Sequence, residues 1–203
     1  MMRNAVILAV TVAVLLPLAA MAQDEQRKEI SLQGMVFVTK SATNVNGTSY
    51  TATQSGGVLG TFRYHFGPNL SAELAYGFAR DTQKYNLGTE GFRIQSQIHQ
   101  ATIAAIINVA HPKKFTPYMV VGGGMVLFAP SGNQTNYISG AQTQGKGGFV
   151  YRFGINYPLQ KNFSFRAEYR GLLYAPPNFG FGGLSANSIT HSAEPSIGLS
   201  YRF

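Results

Sequence analysis

The sequence has no cysteine and no tryptophan, and only 12% of its 203 residues are charged. Without cysteine there is no disulfide framework, no thiolate metal ligand and no thiol nucleophile. So little charge, beside 11 Tyr and 14 Phe, excludes a disordered chain. Beyond residue 22 no apolar run approaches the ~20 residues that a membrane-spanning helix needs. Clustered metal ligands, a P-loop and a dinucleotide fingerprint are missing too. Acidic residues are scarce, eight against sixteen Lys and Arg, which leaves a formal charge of +8. That excess would suit an acidic partner, but several arginines fall on single faces of strands rather than in one continuous patch. Nucleic acid is therefore not an expected partner. The length fits one domain.

The opening residues read as an export signal. Arg3 precedes an apolar run from Ala5 to Ala20, broken by Pro17, and Ala20-Met21-Ala22 has the small-x-small pattern of a cleavage site. The run is short for an anchor. Residues 1–22 are expected to be removed after Ala22, residues 23–28 to form a short periplasmic linker, and residues 29–203 to fold outside the cytoplasm.

What the chain does contain is period two. In its last segment Pro195, Ile197, Leu199, Tyr201 and Phe203 share one face, and Glu194, Ser196, Gly198, Ser200 and Arg202 share the other. Segment 147–157 sets Phe149, Tyr151, Phe153, Ile155 and Tyr157 against Val150, Arg152, Gly154 and Asn156. Segment 163–173 sets Phe163, Phe165, Ala167, Tyr169 and Leu173 against Ser164, Arg166, Glu168 and Arg170. Segments 58–66 and 70–78 repeat the pattern, with Arg63 and Glu73 on their polar faces. Three more strands, about 29–39, 96–109 and 115–128, read less cleanly. The second is apolar on both faces, and the third carries Gly122-Gly123-Gly124. The total is eight.

The connections alternate in length. Gly67 to Asn69, Ala110 to Lys114 and Pro158 to Asn162 are short, whereas 40–55, 81–93, 129–146 and 175–192 are long and rich in Asn, Gly, Ser, Thr and Gln. With antiparallel neighbours, all short turns lie at one end and all long loops at the other, as in an outer-membrane barrel. A soluble barrel would have to bury Arg63, Glu73, Arg152, Arg166, Glu168, Arg170, Glu194 and Arg202, more charge than soluble cores accept. A lipid-facing apolar face around a polar, paired interior accounts for both faces, and closure satisfies the backbone. The expected fold class is all-β: an eight-stranded antiparallel up-and-down transmembrane β-barrel with short periplasmic turns and four long extracellular loops. Phe66, Tyr157, Phe163, Phe165, Tyr201 and Phe203 would gather at the periplasmic rim, and Tyr76, Phe78, Phe128, Phe149 and Tyr151 near the outer one. Such aromatic girdles flank an apolar band.

From about residue 23 to 203 the chain resembles the OmpA-like eight-stranded outer-membrane β-barrel domain proteins of the Gram-negative envelope. The resemblance rests on Phe115-Thr116-Pro117-Tyr118, on Phe165-Arg166-Ala167-Glu168-Tyr169-Arg170-Gly171, and on the ending Ser196-Ile197-Gly198-Leu199-Ser200-Tyr201-Arg202-Phe203. It implies residence in the outer membrane. It also implies that Ile197, Leu199, Tyr201 and Phe203 form the C-terminal signal read by the barrel-assembly machinery. Two features depart from the pattern. Tryptophan, common in girdles, is absent, and the chain stops at the final strand without a peptidoglycan-binding domain, so no cell-wall tether is expected.

Eight strands leave an interior that side chains just fill. The eight charged residues on the polar faces, five Arg and three Glu, are expected to cross-link as an ion network, because an isolated buried charge is costly. They would act as a plug or, since they are net positive by two, as an anion-preferring gate. Lys40, Arg80, Lys84, Arg93 and Lys146 edge the long loops and are candidate contacts for lipopolysaccharide phosphates. Among His65, His99, His111 and His191, only His191-Ser192 with Glu194 groups a serine, a histidine and an acid. These are common residues, and no enzyme, cofactor or metal is expected. The expected role is structural or surface-interacting, through the loops of a monomer embedded among outer-membrane lipids. A narrow pore for ions or small solutes is the alternative, and a lipid-modifying enzyme is the least favoured.

Overall fold

Lipid offers the backbone no hydrogen bonds, so strands with one apolar face must pair until no edge is left. The computed structural model describes residues 27–40, 42–43, 49–52, 54–87, 90–110, 114–131, 140–180 and 189–203. Its barrel strands are β1 (Lys28–Thr39), β4 (Ser55–His65), β5 (Leu70–Leu87), β6 (Glu90–Asn108), β7 (Thr116–Pro130), β8 (Gln144–Pro158), β9 (Phe163–Tyr174) and β10 (Thr190–Arg202). Two short strands, β2 (Ala42–Thr43) and β3 (Ser49–Ala52), lie between β1 and β4. Each barrel strand pairs antiparallel with the next, and β1 pairs with β10 to close the ring. The fold is a closed, up-and-down, eight-stranded barrel, and no described residue is helical. Residues 1–26, and with them the cleavage site after Ala22, lie outside the described residues. Lys28, expected in the linker, already pairs with Tyr64 and exchanges backbone hydrogen bonds with Phe203.

The apolar faces point outward. Leu32, Val58, Leu74, Ile103, Val121, Phe153 and Ile197 are all exposed. Phe66, Tyr157, Phe163 and Phe165 are exposed beside the short turns, where Tyr201 lies 4.8 Å from Phe163 and stacks on Phe203. Tyr76 and Phe149 are exposed farther up, with Phe78 and Tyr151 half-buried. Phe128 departs from the expected girdle. It points inward, fully buried, with ring centroids 5.5 Å from Tyr174 and 6.4 Å from Phe179. β7 is apolar on both faces (Val120 in, Val121 out), so hydrophobicity could not set its phase; the ladders to β6 and β8 do.

The expected long loop over 81–93 is mostly strand. β5 and β6 stay paired out to Leu87 and Glu90, and β3 adds to this ribbon by pairing Ser49–Ala52 with Gln83–Asn86. The alternation weakens there because the outward face turns polar and the inward face mixes polar residues such as Asp81 and Ser96 with apolar ones such as Ile94 and Ile98. Period two was a signal of lipid on one side, not of strand structure itself.

The glycine-rich stretch of β7 permits close approach. A Cβ at Gly124 would run into the Ala101 carbonyl oxygen and stand 2.7 Å from the Thr102 Cα. Gly124→Val is expected to lower barrel stability by about 1–3 kcal/mol through overpacking. Urea unfolding in lipid vesicles, followed by heat-dependent gel mobility, measures this.

Candidate functional site

Each strand delivers every second side chain to the lumen. β1 contributes Glu29, β4 Arg63, β5 Glu73 and β8 Arg152. β9 contributes Arg166, Glu168 and Arg170, and β10 contributes Glu194. None of these eight is more than 6% exposed. Six of them form one lattice in the periplasmic half. Arg63 donates to Glu73 through Nε (3.2 Å) and Nη2 (2.9 Å). Arg152 bridges Glu73 and Glu168, donating to the latter at 3.2 Å. Arg166 pairs with Glu29 and lies 3.8 Å from both Glu73 and Glu168. Tyr118 donates its hydroxyl to Glu168 and offers its ring face to Arg63, 4.7 Å away. Gly154 makes room for that ring, since a Cβ there would stand 2.5 Å from Tyr118 Cζ. Above this lattice Arg170 donates to Glu194 (2.6 Å) and to Gln100, whose amide donates back to Glu194 (2.8 Å).

The interior count therefore differs from the expected one. Four arginines face four glutamates, Asp81 is a fifth buried carboxylate higher up, and the excess of two positive charges is gone. Arg202 lies on the inward phase of β10 but is exposed at the periplasmic mouth, where it lines a polar hollow of about 400 Å³. Glu29, Tyr118 and Gln100 are the members that sequence reasoning missed. Glu29 stands in phase with Ser31 and Gln33, but the same face of β1 continues into Met35 and Phe37, which hid its polarity. The register sets Glu29 directly across from Arg63 on one side and from Arg202 on the other.

The upper half of the lumen is mainly apolar, with Asp81, Thr39, Ser96 and Ser192 also buried in it. Met35, Phe37, Leu59, Ile98, Val126, Phe128, Val150 and Leu172 fill it, none more than 4% exposed. Phe179, from the segment after β9, is pushed into its top and fully buried. Its backbone sits at φ 51°, a conformation that costs a bulky residue energy. The Gln144 side chain accepts hydrogen bonds from the backbone N–H of Asn178 (2.8 Å) and of Phe179 (3.2 Å), and Gln142 N–H donates to the Phe179 carbonyl (3.0 Å). The lumen is thus filled by side chains of opposite chemistry in its two halves.

The serine, histidine and acid noted near the last strand do not meet. His191 faces outward, stacked on Tyr151 and hydrogen-bonded to its hydroxyl (3.0 Å), whereas Ser192 and Glu194 are fully buried inside. A different trio lines up at the periplasmic mouth: Ser71 Oγ lies 2.8 Å from His65 Nδ1, and His65 Nε2 lies 3.2 Å from Glu29. Ser71 is only 1% exposed and Glu29 is already bound by Arg166, so the trio braces the wall. No group of residues suited to a metal occurs among the described residues.

On the outer surface Lys40 and Arg80 are exposed and Lys84 is half-buried. The Arg93 side chain is outside the described residues, although its backbone pairs with Lys84. Lys146 departs from the expected set. It lies on the inward phase of β8 with Val150 and Arg152, so it faces the mouth and not the membrane. In the C-terminal strand Ile197 and Leu199 are exposed to lipid, and Tyr201 and Phe203 are half-buried.

The model of the outer membrane protein beta-barrel domain matches residues 8–203. No curated protein sequence matches the chain. Among solved structures, OprG from Pseudomonas aeruginosa aligns with a TM-score of 0.65 at 15% identity, over 87% of this chain and 95% of its own. Neisserial surface protein A aligns with a TM-score of 0.61 at 14% identity, over 87% and 97%. Ail, the attachment invasion locus protein of Yersinia pestis, aligns with a TM-score of 0.51 at 14% identity, over 87% and 99%. At these identities the likeness concerns the fold.

Removing one partner of a buried lattice leaves an uncompensated charge. Glu73→Gln is expected to cost about 3–5 kcal/mol in urea unfolding, because it strips both Arg63 and Arg152 of a carboxylate. Arg202→Gln, at the open mouth, should change stability by no more than about 1 kcal/mol.

Proposed function

The chain belongs to the outer membrane protein beta-barrel domain family and resides in the outer membrane, and on that premise we propose that its barrel is a sealed scaffold whose outward surfaces carry its role. The observation that supports this is the double closure of the lumen. A hydrated ion entering from outside meets Phe179, Phe128 and the closely packed, mainly apolar side chains below them, which leave no room for its water shell. An ion entering from the periplasm meets arginines and glutamates that already satisfy each other and are almost wholly buried. An anion-selective gate would need an excess of positive charge, and the buried arginines of the interior do not outnumber its carboxylates.

The rigid wall leaves the extracellular side free to vary and to bind. The β5–β6 ribbon and the segments joining the other strands at that end are the surfaces on which an interaction would be built. Ail, which shares the fold, has been crystallised in complex with the heparin analogue sucrose octasulfate, an example of the fold meeting a polyanion.

Planar-bilayer recordings on the purified, folded barrel test this reading. Silence is expected from the wild-type protein and also from Phe179→Ala, because the Arg–Glu lattice closes the lumen independently of the upper stopper. Discrete, ion-selective steps from the wild-type barrel would replace the scaffold reading with a pore.

A further inference from the structure

The periplasmic end of the lumen is a polar cup. Six strands carry polar side chains at the ends of their inward faces: His65 of β4, Asn108 of β6, Thr116 of β7, Asn156 of β8, Ser164 of β9 and Arg202 of β10. With Glu29 of β1 and the short turns they line a hollow of about 400 Å³. Small-molecule sites span roughly 300–1,000 Å³. The hollow is blind. Behind it lie Arg63, Arg166 and Glu73, all buried and engaged with one another, so what enters from the periplasm stops there.

Its charge is one-sided. Glu29, the acidic side chain among the lining residues, already meets Arg166, Arg63 at 3.7 Å and His65 at 3.2 Å. The cations at the hollow are Lys161 and Arg202, both exposed. The fold brings them to the same side. In the β8–β9 turn that carries Lys161, the N–H groups of Leu159 and Gln160 donate to the Phe163 carbonyl (2.9 and 3.1 Å). The Arg202 N–H donates to the carbonyl of Asn162, the neighbour of Lys161 (2.9 Å). An anionic group is therefore favoured at this wall, and the planar guanidinium fork suits a carboxylate.

Two amides are oriented in opposite senses. Asn156 accepts from Arg166 Nε through its side-chain oxygen (3.0 Å), so its amino group is what it offers to the cup. Asn108 donates through its amino group to the Pro68 carbonyl (2.6 Å), so its oxygen is what it offers. β6 and β10 stand four strands apart in the closed ring of eight, on opposite walls. A ligand whose anionic end sits at Lys161 and Arg202 thus finds a donor on its flank and an acceptor across the cup. A carboxylate preceded by peptide groups, each with one C=O and one N–H, answers all three. Acetate or phosphate answers only the first.

We propose that this cup is a binding site for a short peptide with a free C-terminal carboxylate. Lys161 and Arg202 hold the carboxylate, Asn156 donates to a peptide carbonyl, and Asn108 accepts from a peptide N–H. The site goes beyond the scaffold reading, because it puts a ligand on the face opposite the extracellular loops.

The test titrates the folded full barrel in lipid nanodiscs by isothermal calorimetry. The probes are acetyl-Ala-Ala with a free carboxylate, its C-terminal amide, acetate and inorganic phosphate. Saturable, single-site binding of the free acid is expected, with each other probe weaker by about tenfold or more. The double variant Lys161→Gln/Arg202→Gln should bind the acid about tenfold more weakly. Lys114→Gln, exposed on the neighbouring turn and outside the cup, should bind it like the wild type. Heat-dependent gel mobility verifies that each variant is folded. No binding of the acid at millimolar peptide, equal binding of its amide, of acetate or of phosphate, unchanged binding by the double variant, or an equal loss in Lys114→Gln would each overturn the proposal. None of these results bears on conductance, so the peptide site and the sealed lumen can fail separately.

Discussion

Everything in this molecule depends on closing a ring of backbone hydrogen bonds where water is absent. β1 reaches β10 through a ladder running from Glu29 opposite Arg202 to Thr39 opposite Ser192. Once the ring is shut, period-two alternation becomes geography: odd and even positions belong to lipid or to lumen with no third choice. The outer face then needs only apolar bulk. The inner face must solve a packing problem in a space barely wider than its side chains.

The barrel solves that problem differently at its two ends. In the periplasmic half, arginine and glutamate fill the space as a charge-balanced lattice, with Tyr118 as a ring-faced spacer and Gly154 yielding the room it needs. Each guanidinium meets more than one carboxylate, so no single pair carries the desolvation cost alone. In the outer half, aliphatic and aromatic side chains pack as in a soluble core, and Phe179 is held in place at a strained φ by hydrogen bonds to Gln144 and Gln142. The two halves have opposite chemistry and the same consequence for passage along the axis. On the scaffold reading proposed above, the role falls to the outer surface, where the β5–β6 ribbon carries aromatic residues and, above them, Arg80 and Lys84.

Much of this was legible in the chain. The strands with clean alternation, β4, β5, β8, β9 and β10, were readable because one face met lipid and the other charge. Arg63, Glu73, Arg152, Arg166, Glu168, Arg170 and Glu194 could be placed on polar faces for the same reason. Phe128 was placed in the outer girdle but lies inside, because β7 is apolar on both sides and its phase depends on neighbours far away in sequence. The outer reach of β5 and β6 was missed, because Asp81 and Ser96 interrupt the apolar period of its inward face. Glu29 was obscured because polarity and apolarity share one face of β1, divided by height in the barrel.

Although the extent of the loops was not legible, since β5 and β6 stay paired out to Leu87 and Glu90, the chain alone set the number of barrel strands, their antiparallel order and the outward apolar face. These follow from local alternation and from loop length, which are properties of neighbouring residues. It took the assembled barrel to show which glutamate answers which arginine, that the interior arginines do not outnumber its carboxylates, that Lys146 faces the mouth while Arg80 and Lys84 face outward, and that Phe179 is buried in the top of the lumen. Those are facts of register and height, set when strands distant in sequence lock together, and a one-residue shift of any ladder would send its side chains to the other face.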